Sequence, residues 1–346
     1  MPDSPTIPGL PPGMPDPEAI FQSWWPIIIA LVGGFVYGLR LYFRGARCTS
    51  EAKLDGKVAI VTGGNGGIGQ YIVEDFAKRG AKVYIAAKNE ENADSVVKEL
   101  RTKTKSEAIF LMKCDLTSKK SIESFVEAFK KKEENLHFLV NNAGVMMAPK
   151  NITEDGFEEH LQVNHMGHFY LTHLLFNTLK ASVPSRVVNT TAPAYNLGKI
   201  DFEDLNFKNR EYQASEAYAQ SKLAVALFTK EFAKKYPFED SGVAMTSAIP
   251  GVVRTKIHRH MPFQQNGFIN LMFTPVLWYL MKHAEDGAQT TIFCCVADAL
   301  TSVSGYLYKE CLRVPYTDIA EGDELQEQMW NESLKLLKIK EFGKTD

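Results

Sequence analysis

The sequence predicts an α/β fold, namely a Rossmann-type, doubly wound parallel sheet preceded by one N-terminal transmembrane helix. Three observations predict it: a glycine-rich turn between an apolar strand and an amphipathic helix, a repeated alternation of strands and helices after that turn, and an apolar run near the N-terminus. Alternating strands and helices form right-handed crossovers and hence a parallel sheet. We divide the chain into a disordered tail at 1–20, a transmembrane anchor at 21–43, a linker at 44–55, an α/β domain at 56–315, and a C-terminal helix and tail at 316–346.

The N-terminal 43 residues predict the anchor. Residues 1–20 are rich in proline and contain no basic residue, which indicates a disordered tail and not a signal peptide. The run at 21–39 is almost wholly apolar, and about 20 such residues cross a bilayer core. Trp24 lies near one end, and Arg40 and Arg44 follow the other, so we expect a luminal N-terminus and a cytosolic domain. A buried helix or a monotopic hairpin is the alternative.

The stretch KVAIVTGGNGGIG, from Lys57 to Gly69, is the centre of the predicted domain. Its apolar run at 58–61 is too short for a helix and is bounded by turn residues, which predicts a buried strand. The glycines allow the backbone to approach a ligand closely, and the N-terminus of the helix that follows offers free N–H groups to a pyrophosphate. For this stretch alone, a tight turn in some other α/β protein remains an alternative.

Further strands and helices follow in alternation. A parallel sheet binds its ligands at the carboxyl ends of its strands. The glycine turn, Asp115, Asn141 and the pair Thr190 and Thr191 all follow predicted strands, so we expect them to converge on one edge. The predicted strands after the glycine turn lie at 82–87, 108–112, 138–140, 186–189, 243–247 and 304–308, and the long helices lie at 156–181, 217–235, from about 285, and at 324–339.

Composition narrows the classes of partner. The 346 residues include 39 basic and 41 acidic ones, which gives a net charge of −2, so we expect no nucleic acid partner. The five cysteines have no metal-ligand spacing, and we expect reduced thiols in a cytosol-facing domain and no metal site. We interpret His165, His168 and His173 as packing and surface residues.

The second strand bears on the identity of the cofactor. A site specific for NAD places a carboxylate there to bind the ribose 2′-hydroxyl. This strand ends in Ala87 and Lys88 without an acid, and the lysine is available to a 2′-phosphate. The sequence therefore favours NADP(H), while a wider site that also accepts NAD(H), or an ordinary solvated lysine, stays open.

Tyr218 and Lys222 predict the chemistry, because they lie one helical turn apart and share a face. An ammonium close to a phenol lowers the phenol pKa from about 10, which makes the tyrosine a general acid or base near neutral pH. For this pair alone, a solvated helix face is the alternative.

In combination, these features resemble the short-chain dehydrogenases/reductases over roughly 54–308, and within that family the retinol-dehydrogenase-like branch. The resemblance implies a membrane-anchored NAD(P)-dependent oxidoreductase, with the endoplasmic reticulum as the usual membrane of that branch. The motifs that carry it are TGGNGGIG at 62–69, CDL at 114–116, NNAG at 141–144, VNHMGHF at 163–169, YAQSK at 218–222 and PGVVRT at 250–255.

The resemblance also implies roles for individual residues. Tyr218 becomes the general acid/base, Lys222 lowers its pKa and binds the nicotinamide ribose, and Asn164 holds a water that relays protons. Asp115 meets the adenine ring and Asn141 the adenine ribose region. The other residues implied to bind the dinucleotide are Gly63, Asn65, Gly67, Ile68, Gly69, Lys88, Ala143, Gly144, Pro250, Gly251 and Thr255.

One position departs from the family pattern. The serine that hydrogen-bonds the substrate oxygen is replaced by Ala192, and losing a comparable donor costs about 10²–10³ in rate. We expect a threonine to substitute through a bulge or a shifted register, and assign this catalytic role to Thr191, with Thr190 as the other candidate. Slow turnover on Tyr218 alone, or a dinucleotide-binding scaffold with weak or no turnover, are the alternatives.

The substrate and the partners follow from the remaining segments. The run at 268–281 is mostly apolar and occupies the place of the family's substrate loop, which suits a lipophilic alcohol or carbonyl that reaches the site from the bilayer. The resemblance implies a retinoid, a steroid or an isoprenoid lipid, while a lid packed on its own core is the alternative. The run at 324–339 predicts a packing helix within the chain, against a partner subunit or on the membrane surface, so a homodimer stays open.

Overall fold

The computed structural model describes residues 24–89, 93–255, 279 and 281–344, and it divides the chain into the units Met1–Gly45 and Ala46–Asp346. In the first unit, helix α1 spans Trp25–Arg44, and its 20 residues are long and apolar enough to cross a membrane. None of them is buried, so the alternative of a buried core helix is wrong. A proline in the first turn, where no backbone N–H is needed, favours this start. The predicted tail at 1–20 lies outside the described residues.

In the second unit, eight strands of the described residues form one sheet, in the order β3-β2-β1-β4-β5-β6-β7-β8. Strands β1 to β7 pair in parallel, and β8 pairs antiparallel with β7, so the predicted doubly wound parallel sheet is confirmed. The strands are β1 Val58–Thr62, β2 Lys82–Ala87, β3 Ile109–Lys113, β4 Phe138–Asn141, β5 Ser185–Thr190, β6 Val243–Ile249, β7 Leu307–Lys309 and β8 Leu312–Val314.

Helices cover both faces of this sheet. Strand β1 explains why, because alternate side chains point to opposite faces: Ile60 packs in the core on one face and Val61 in the core on the other. The helices are α2 Gly67–Lys78, α3 Ala93–Thr104, α4 Lys119–Lys130, α5 Glu159–Leu161, α6 Gly167–Ala181, α7 Ala214–Lys235, α8 Phe238–Ser241, α9 Ala284–Val296, α10 Asp318–Glu321 and α11 Asp323–Leu337. Residues of α2, α3 and α9 pack on one face, and residues of α4, α6, α7 and α11 on the other.

Two predicted elements differ from those observed. The long helix expected at 156–181 begins at Glu159 and is interrupted by a π-helix over Gln162–Met166. The last strand, expected at 304–308, is Leu307–Lys309, and β8 forms an unpredicted hairpin with it. Glu310 and Cys311 form the tip with φ of 53° and 56°, and neither is a residue type that signals a left-handed turn in a sequence.

The segment that begins the second unit is fixed to the domain surface. The backbone N–H of Ala46 donates to Glu310 over 3.0 Å, that of Cys48 donates to Gln289 over 3.1 Å, and the Arg47 guanidinium donates to Asp286 over 3.1 Å. The part of the predicted linker that follows residue 45 is therefore an ordered extension of the domain.

Candidate active site

A cleft of about 530 Å³ lies at the carboxyl ends of β1 to β4, and β1 and β4 are the strands where the order reverses. Such a switch point is where an open α/β sheet binds its ligand. Nine residues that the sequence assigned to the dinucleotide line it, namely Gly63, Asn65, Gly67, Ile68, Lys88, Asp115, Ala143, Gly144 and Thr255.

The glycine turn fits a dinucleotide pyrophosphate. Gly63 and Gly67 have φ of 64° and 54°, values that side-chain-bearing residues rarely adopt. A Cβ at Gly69, in the first turn of α2, would collide with the carbonyl oxygen of Gly63. Glycine here lets the helix pack closely against the turn, and this position does not line the cleft. Helix α2 begins at Gly67 with no side-chain cap, which leaves its first N–H groups to an anionic ligand.

At the far end of the cleft, Lys88 forms an ion pair with Asp115, with Nζ 3.0 Å from Oδ2. The backbone N–H and the hydroxyl of Thr117 donate to the other carboxylate oxygen. Burial alone would raise the pKa of Asp115, but the two donors of Thr117 and then Lys88 outweigh it, so the pKa is lowered. The cleft therefore presents a lysine and an ionised carboxylate together.

The structure does not bring Asn141 to the cleft. Its side chain is buried, and its amide donates to Thr172 over 3.2 Å and to Asn189 over 2.8 Å, which ties β4 to α6 and β5. Asn142 lines the cleft in its place, because neighbouring residues of an extended chain point to opposite sides. Pro250 and Gly251 follow β6 and also lie outside the cleft lining.

Tyr218 and Lys222 are both buried on α7, and the ammonium lies 5.8 Å from the centre of the phenol ring. The ammonium donates to the carbonyl oxygen of Thr190 over 3.0 Å, and burial lowers the pKa of Lys222 to about 8. Burial also raises the pKa of Tyr218. This direction is opposite to the one expected from Lys222 alone, because removing the phenolate from water outweighs an ammonium at this distance.

Asn164 lies in the π-helix and is held on both sides of its amide group. Its Oδ1 accepts the N–H of Val145 over 2.9 Å, and its Nδ2 donates to the Val145 carbonyl and to the Ser221 hydroxyl, over 3.0 and 2.9 Å. A Cβ at Gly144 would lie 3.0 Å from Asn164 Oδ1 and 3.6 Å from Lys222 Nζ. The wall of the cleft therefore abuts both of these side chains.

The two threonines before Ala192 differ in their partners. The Thr191 hydroxyl donates to the carbonyl oxygen of Lys222 over 3.1 Å, so its proton is not directed at a substrate. The Thr190 hydroxyl oxygen is buried and has no hydrogen-bond partner among the described residues. Ala192 is extended, with φ −148° and ψ 157°, and the regular pairing of β5 with β6 runs up to Thr190 without the expected bulge.

Comparison with known proteins places this geometry in a family. The sequence profile described as short chain dehydrogenase matches residues 57–266, which is more than half of the chain. The chain belongs to the short-chain dehydrogenase family. It is accordingly an oxidoreductase that works with a nicotinamide dinucleotide.

Individual relatives place this short-chain dehydrogenase in the retinol-dehydrogenase-like branch. It is 42% identical to retinol dehydrogenase 12 of Homo sapiens, over 87% of this chain and 93% of that protein. It is 38% identical to polyprenol dehydrogenase of Homo sapiens, over 81% of this chain and 84% of that protein. A crystal structure of a putative uncharacterized protein from Mycobacterium paratuberculosis superposes with a TM-score of 0.69 at 26% identity, covering 85% of this chain and 98% of that one.

Several residues around the site of this short-chain dehydrogenase were not predicted from the sequence. Glu158 and His160 are fully buried, and His160 Nδ1 lies 2.7 Å from the Glu158 carboxylate. The hydroxyl of Tyr212 joins them, and the His160 ring packs edge-on to Tyr218 with 6.1 Å between centroids. A charged residue followed two positions later by a histidine carries no periodic signal, so only the fold reveals this cluster.

His165 in the π-helix and His168 and His173 on α6 are all buried, so the expectation that some lie on the surface is wrong. His165 bonds the hydroxyl of Ser333 over 2.8 Å, and His173 accepts the N–H of Gly343 over 2.9 Å. Both therefore hold the C-terminal segment against α6, while His168 points to the cleft side.

Proposed function

We propose that this short-chain dehydrogenase is a membrane-anchored, NADP(H)-preferring oxidoreductase that moves a hydride between the nicotinamide and the carbon of a lipophilic alcohol or carbonyl. The observation that carries the proposal is the position of Gly144. It lines the dinucleotide cleft and abuts Lys222 and Asn164, so the residues expected to move protons adjoin the place where the cofactor would lie.

The chain's own residues would handle the proton. A bound dinucleotide supplies or accepts the hydride. Because burial raises its pKa, the phenol of Tyr218 remains protonated at neutral pH, which suits donation to a carbonyl oxygen during reduction. Lys222, with a pKa of about 8, is close to the point where it exchanges a proton, so it suits the next position in a relay that Asn164 orders.

The preference for NADP(H) rests on Lys88. Its ammonium is at the far end of the cleft and mostly exposed, so a 2′-phosphate can reach it. Asp115 neutralises part of that charge, which makes NAD(H) the competing cofactor.

The substrate class and the membrane rest on the relatives and on α1. The names of two relatives, a retinol dehydrogenase and a polyprenol dehydrogenase, refer to apolar alcohols, and a retinoid, a steroid or an isoprenoid lipid shares that character. The apolar run predicted at 268–281 lies outside the described residues, except for positions 279 and 281. We propose a single span in the endoplasmic reticulum with the catalytic domain in the cytosol.

A second candidate function is a membrane-tethered dinucleotide-binding scaffold with weak or no turnover. Ala192 favours it, because it offers no hydroxyl and the proton of the Thr191 hydroxyl is committed to a main-chain carbonyl. Both candidates bind dinucleotide. Saturation at 100 times the dissociation constant stabilises the folded state by about 2.7 kcal/mol, so thermal unfolding with NADPH tests binding before turnover is assayed.

The deciding experiment is NADPH oxidation by the full chain in detergent, with retinal, a polyprenal and an apolar ketosteroid. We expect wild type to turn over at least one of them and Tyr218→Phe to lose about 10²-fold or more, as expected for removal of a general acid. Tyr84→Phe is the matched control, because this tyrosine is also buried but bonds Glu133 away from the cleft. Equal rates for wild type and Tyr218→Phe would exclude the proposed role of Tyr218.

Two more variants separate the enzyme from the scaffold. If Thr190 supplies the missing hydroxyl, Thr190→Val lowers the rate and Ala192→Ser changes it little. If wild type is inactive and Ala192→Ser gains turnover, the chain is a scaffold whose catalysis was lost at one position. Turnover that Thr190→Val leaves unchanged would indicate that Tyr218 works without a second donor.

A further inference from the structure

The His168 ring lies between the dinucleotide cleft and the catalytic asparagine. It is buried, at 3% exposure, and each of its nitrogens meets one polar atom. Nε2 is 2.9 Å from the hydroxyl of Thr62, the last residue of β1. Nδ1 is 3.1 Å from the main-chain carbonyl oxygen of Asn164.

The chemistry of these partners fixes the direction of each hydrogen bond. A carbonyl oxygen only accepts, so Nδ1 carries the proton and donates to Asn164. Burial lowers the pKa of His168 to about 4, so the ring is neutral and Nε2 is an acceptor at neutral pH. Thr62 is then the donor to Nε2 at 2.9 Å, a shorter contact than the 3.2 Å from the same hydroxyl to the Val140 carbonyl oxygen. Its hydroxyl oxygen accepts the N–H groups of Asn142 and Ala143 over 2.9 and 3.0 Å.

The resulting chain of hydrogen bonds crosses the whole site. Its first members, Asn142 and Ala143, line the dinucleotide cleft, and Thr62 lines it beside them. Its last member, Asn164, is bound to Ser221 on α7, which carries the proposed acid/base. The Asn164 side chain also bonds the cleft loop directly at Val145, and His168 adds a second link, from Thr62 to the main-chain carbonyl of Asn164.

The hydrogen bond from His168 Nδ1 to the carbonyl of Asn164 supports the π-helix. Gly167 donates to Gln162, five residues back, so the ordinary four-residue ladder is displaced where Asn164 lies. A local change of this kind needs support from outside the helix backbone to hold one geometry. The His168 Nδ1–H supplies such support at the carbonyl of Asn164.

We propose that His168 is a positioning residue that couples dinucleotide binding to the placement of Asn164. A dinucleotide that orders the loop at Asn142 and Ala143 would, through Thr62 and His168, also order Asn164 and its contact with α7. This inference rests on the proposed function for its kinetic consequence but not for the coupling itself, which is a property of hydrogen bonds in the protein.

The kinetic test compares three histidine variants of the full chain in detergent. His168→Leu removes both hydrogen bonds, and we expect kcat to fall about 10- to 100-fold, because a small displacement of a catalytic group has effects of this size. His168→Asn keeps a donor near the position of Nδ1 and should recover most of kcat. His173→Asn is the matched control, a buried histidine of the same helix that bonds the C-terminal segment, and its kcat should equal that of wild type.

The coupling test needs no turnover. Hydrogen–deuterium exchange of peptides that cover 162–168 is followed with and without NADPH. In wild type and His173→Asn we expect NADPH to slow exchange there at least threefold. In His168→Leu we expect a smaller protection while NADPH still binds, because the direct bonds of Asn164 to Val145 remain. Thr62→Ser, which keeps the hydroxyl, should retain the protection.

The outcomes distinguish the two proposals. Protection at 162–168 that is equal in wild type and His168→Leu would overturn the inference, as would a kcat loss of the same size in His173→Asn. Absence of turnover in wild type would count against the proposed function, and the exchange measurement would still decide the coupling. If His168→Leu fails to fold, the same comparisons are read from His168→Asn and Thr62→Ser against Thr62→Val, which removes the hydroxyl that donates to His168 and accepts the N–H groups of Asn142 and Ala143.

Discussion

We propose that the pair formed by Lys88 and Asp115 sets the preference of the cleft between NADP(H) and NAD(H). The lysine alone favours a 2′-phosphate, and the carboxylate beside it favours a ribose hydroxyl. We expect Lys88→Ala to raise KM for NADPH about 10- to 100-fold and to change KM for NADH little, since a charge-assisted hydrogen bond contributes about 1.5–3 kcal/mol. Steady-state kinetics with both cofactors measure this.

Lys98→Ala is the matched control, because this lysine is exposed on α3 and does not line the cleft. An equal loss of NADPH and NADH affinity in Lys88→Ala would contradict the prediction, since the lysine would then contact a part shared by both cofactors.

Because His165 is buried, we expect the free energy of unfolding to depend on pH. Burial and then the neighbouring His168 lower its pKa from 6.5 to about 3. Between these values the unfolded chain binds a proton that the folded chain does not, so this contribution to stability is complete above pH 6.5 and is lost as pH falls. From pH 7 to pH 5 the loss is about 2 kcal/mol for this one group.

The measurement is thermal unfolding at pH 7 and pH 5 for wild type and His165→Gln. Glutamine can still donate to Ser333 but does not titrate, so its melting temperature should fall less on acidification. The same pH dependence in both proteins would show that His165 is not the group responsible.

At the scale of elements, hydrophobic patterning predicted the sheet, but not the direction of individual side chains at its edge. All six expected strands after the glycine turn are present, because each is a short apolar run between turn residues. The sequence did not show which of Asn141 and Asn142 lines the cleft. A shift of one residue at the end of a strand exchanges a buried position for one in the cleft. The π-helix and the partner of Thr191 depend on tertiary contacts and have no local sequence signal.

The C-terminal segment forms part of the core. Among the described residues, the helix predicted at 324–339 therefore packs within its own chain. Trp330 on α11 and Phe342 after it pack against Phe169 of α6, with 4.8 Å between the first two ring centroids. The predicted packing helix is thus seated within its own chain. A partner subunit or a membrane is not needed to cover these aromatic side chains.

This packing predicts that removing one aromatic side chain strongly lowers the free energy of unfolding. Phe342→Ala should lower the free energy of unfolding by about 3–5 kcal/mol, as expected for removing a buried aromatic ring. Leu312→Ala is the control, because Leu312 is 68% exposed and its removal should change stability by about 0.5 kcal/mol or less. Denaturant or thermal unfolding checks both. A stability of Phe342→Ala close to that of Leu312→Ala would contradict the packing of the C-terminal segment.

At the scale of the whole molecule, the sequence predicted the anchor from composition and its orientation from the arginines at one end. It did not predict that the residues just after the anchor are fixed, because Ala46, Arg47 and Cys48 bond partners more than 200 positions away. Residues 46–48 therefore belong to the α/β domain.

The orientation can be tested with two glycosylation sequons on opposite sides of α1. Asn151-Ile152-Thr153 is a sequon in the domain, where Asn151 is exposed and bonds only Glu159 through its side chain among the described residues. Pro2→Asn would create a second one in the tail, 22 residues before Trp24. Since only luminal sequons are modified, a luminal N-terminus predicts a glycan on the Pro2→Asn variant and none at Asn151.

Expression with microsomes, followed by endoglycosidase treatment, reports each glycan as a loss of apparent mass. Asn151→Gln serves as the control, and its pattern should match that of wild type. A glycan at Asn151, and no glycan at the sequon that Pro2→Asn introduces, would place the catalytic domain in the lumen and reverse the topology. Such a domain would meet a different NADPH pool and an oxidising environment, which its five free cysteines argue against, because luminal proteins of this size commonly form disulfides.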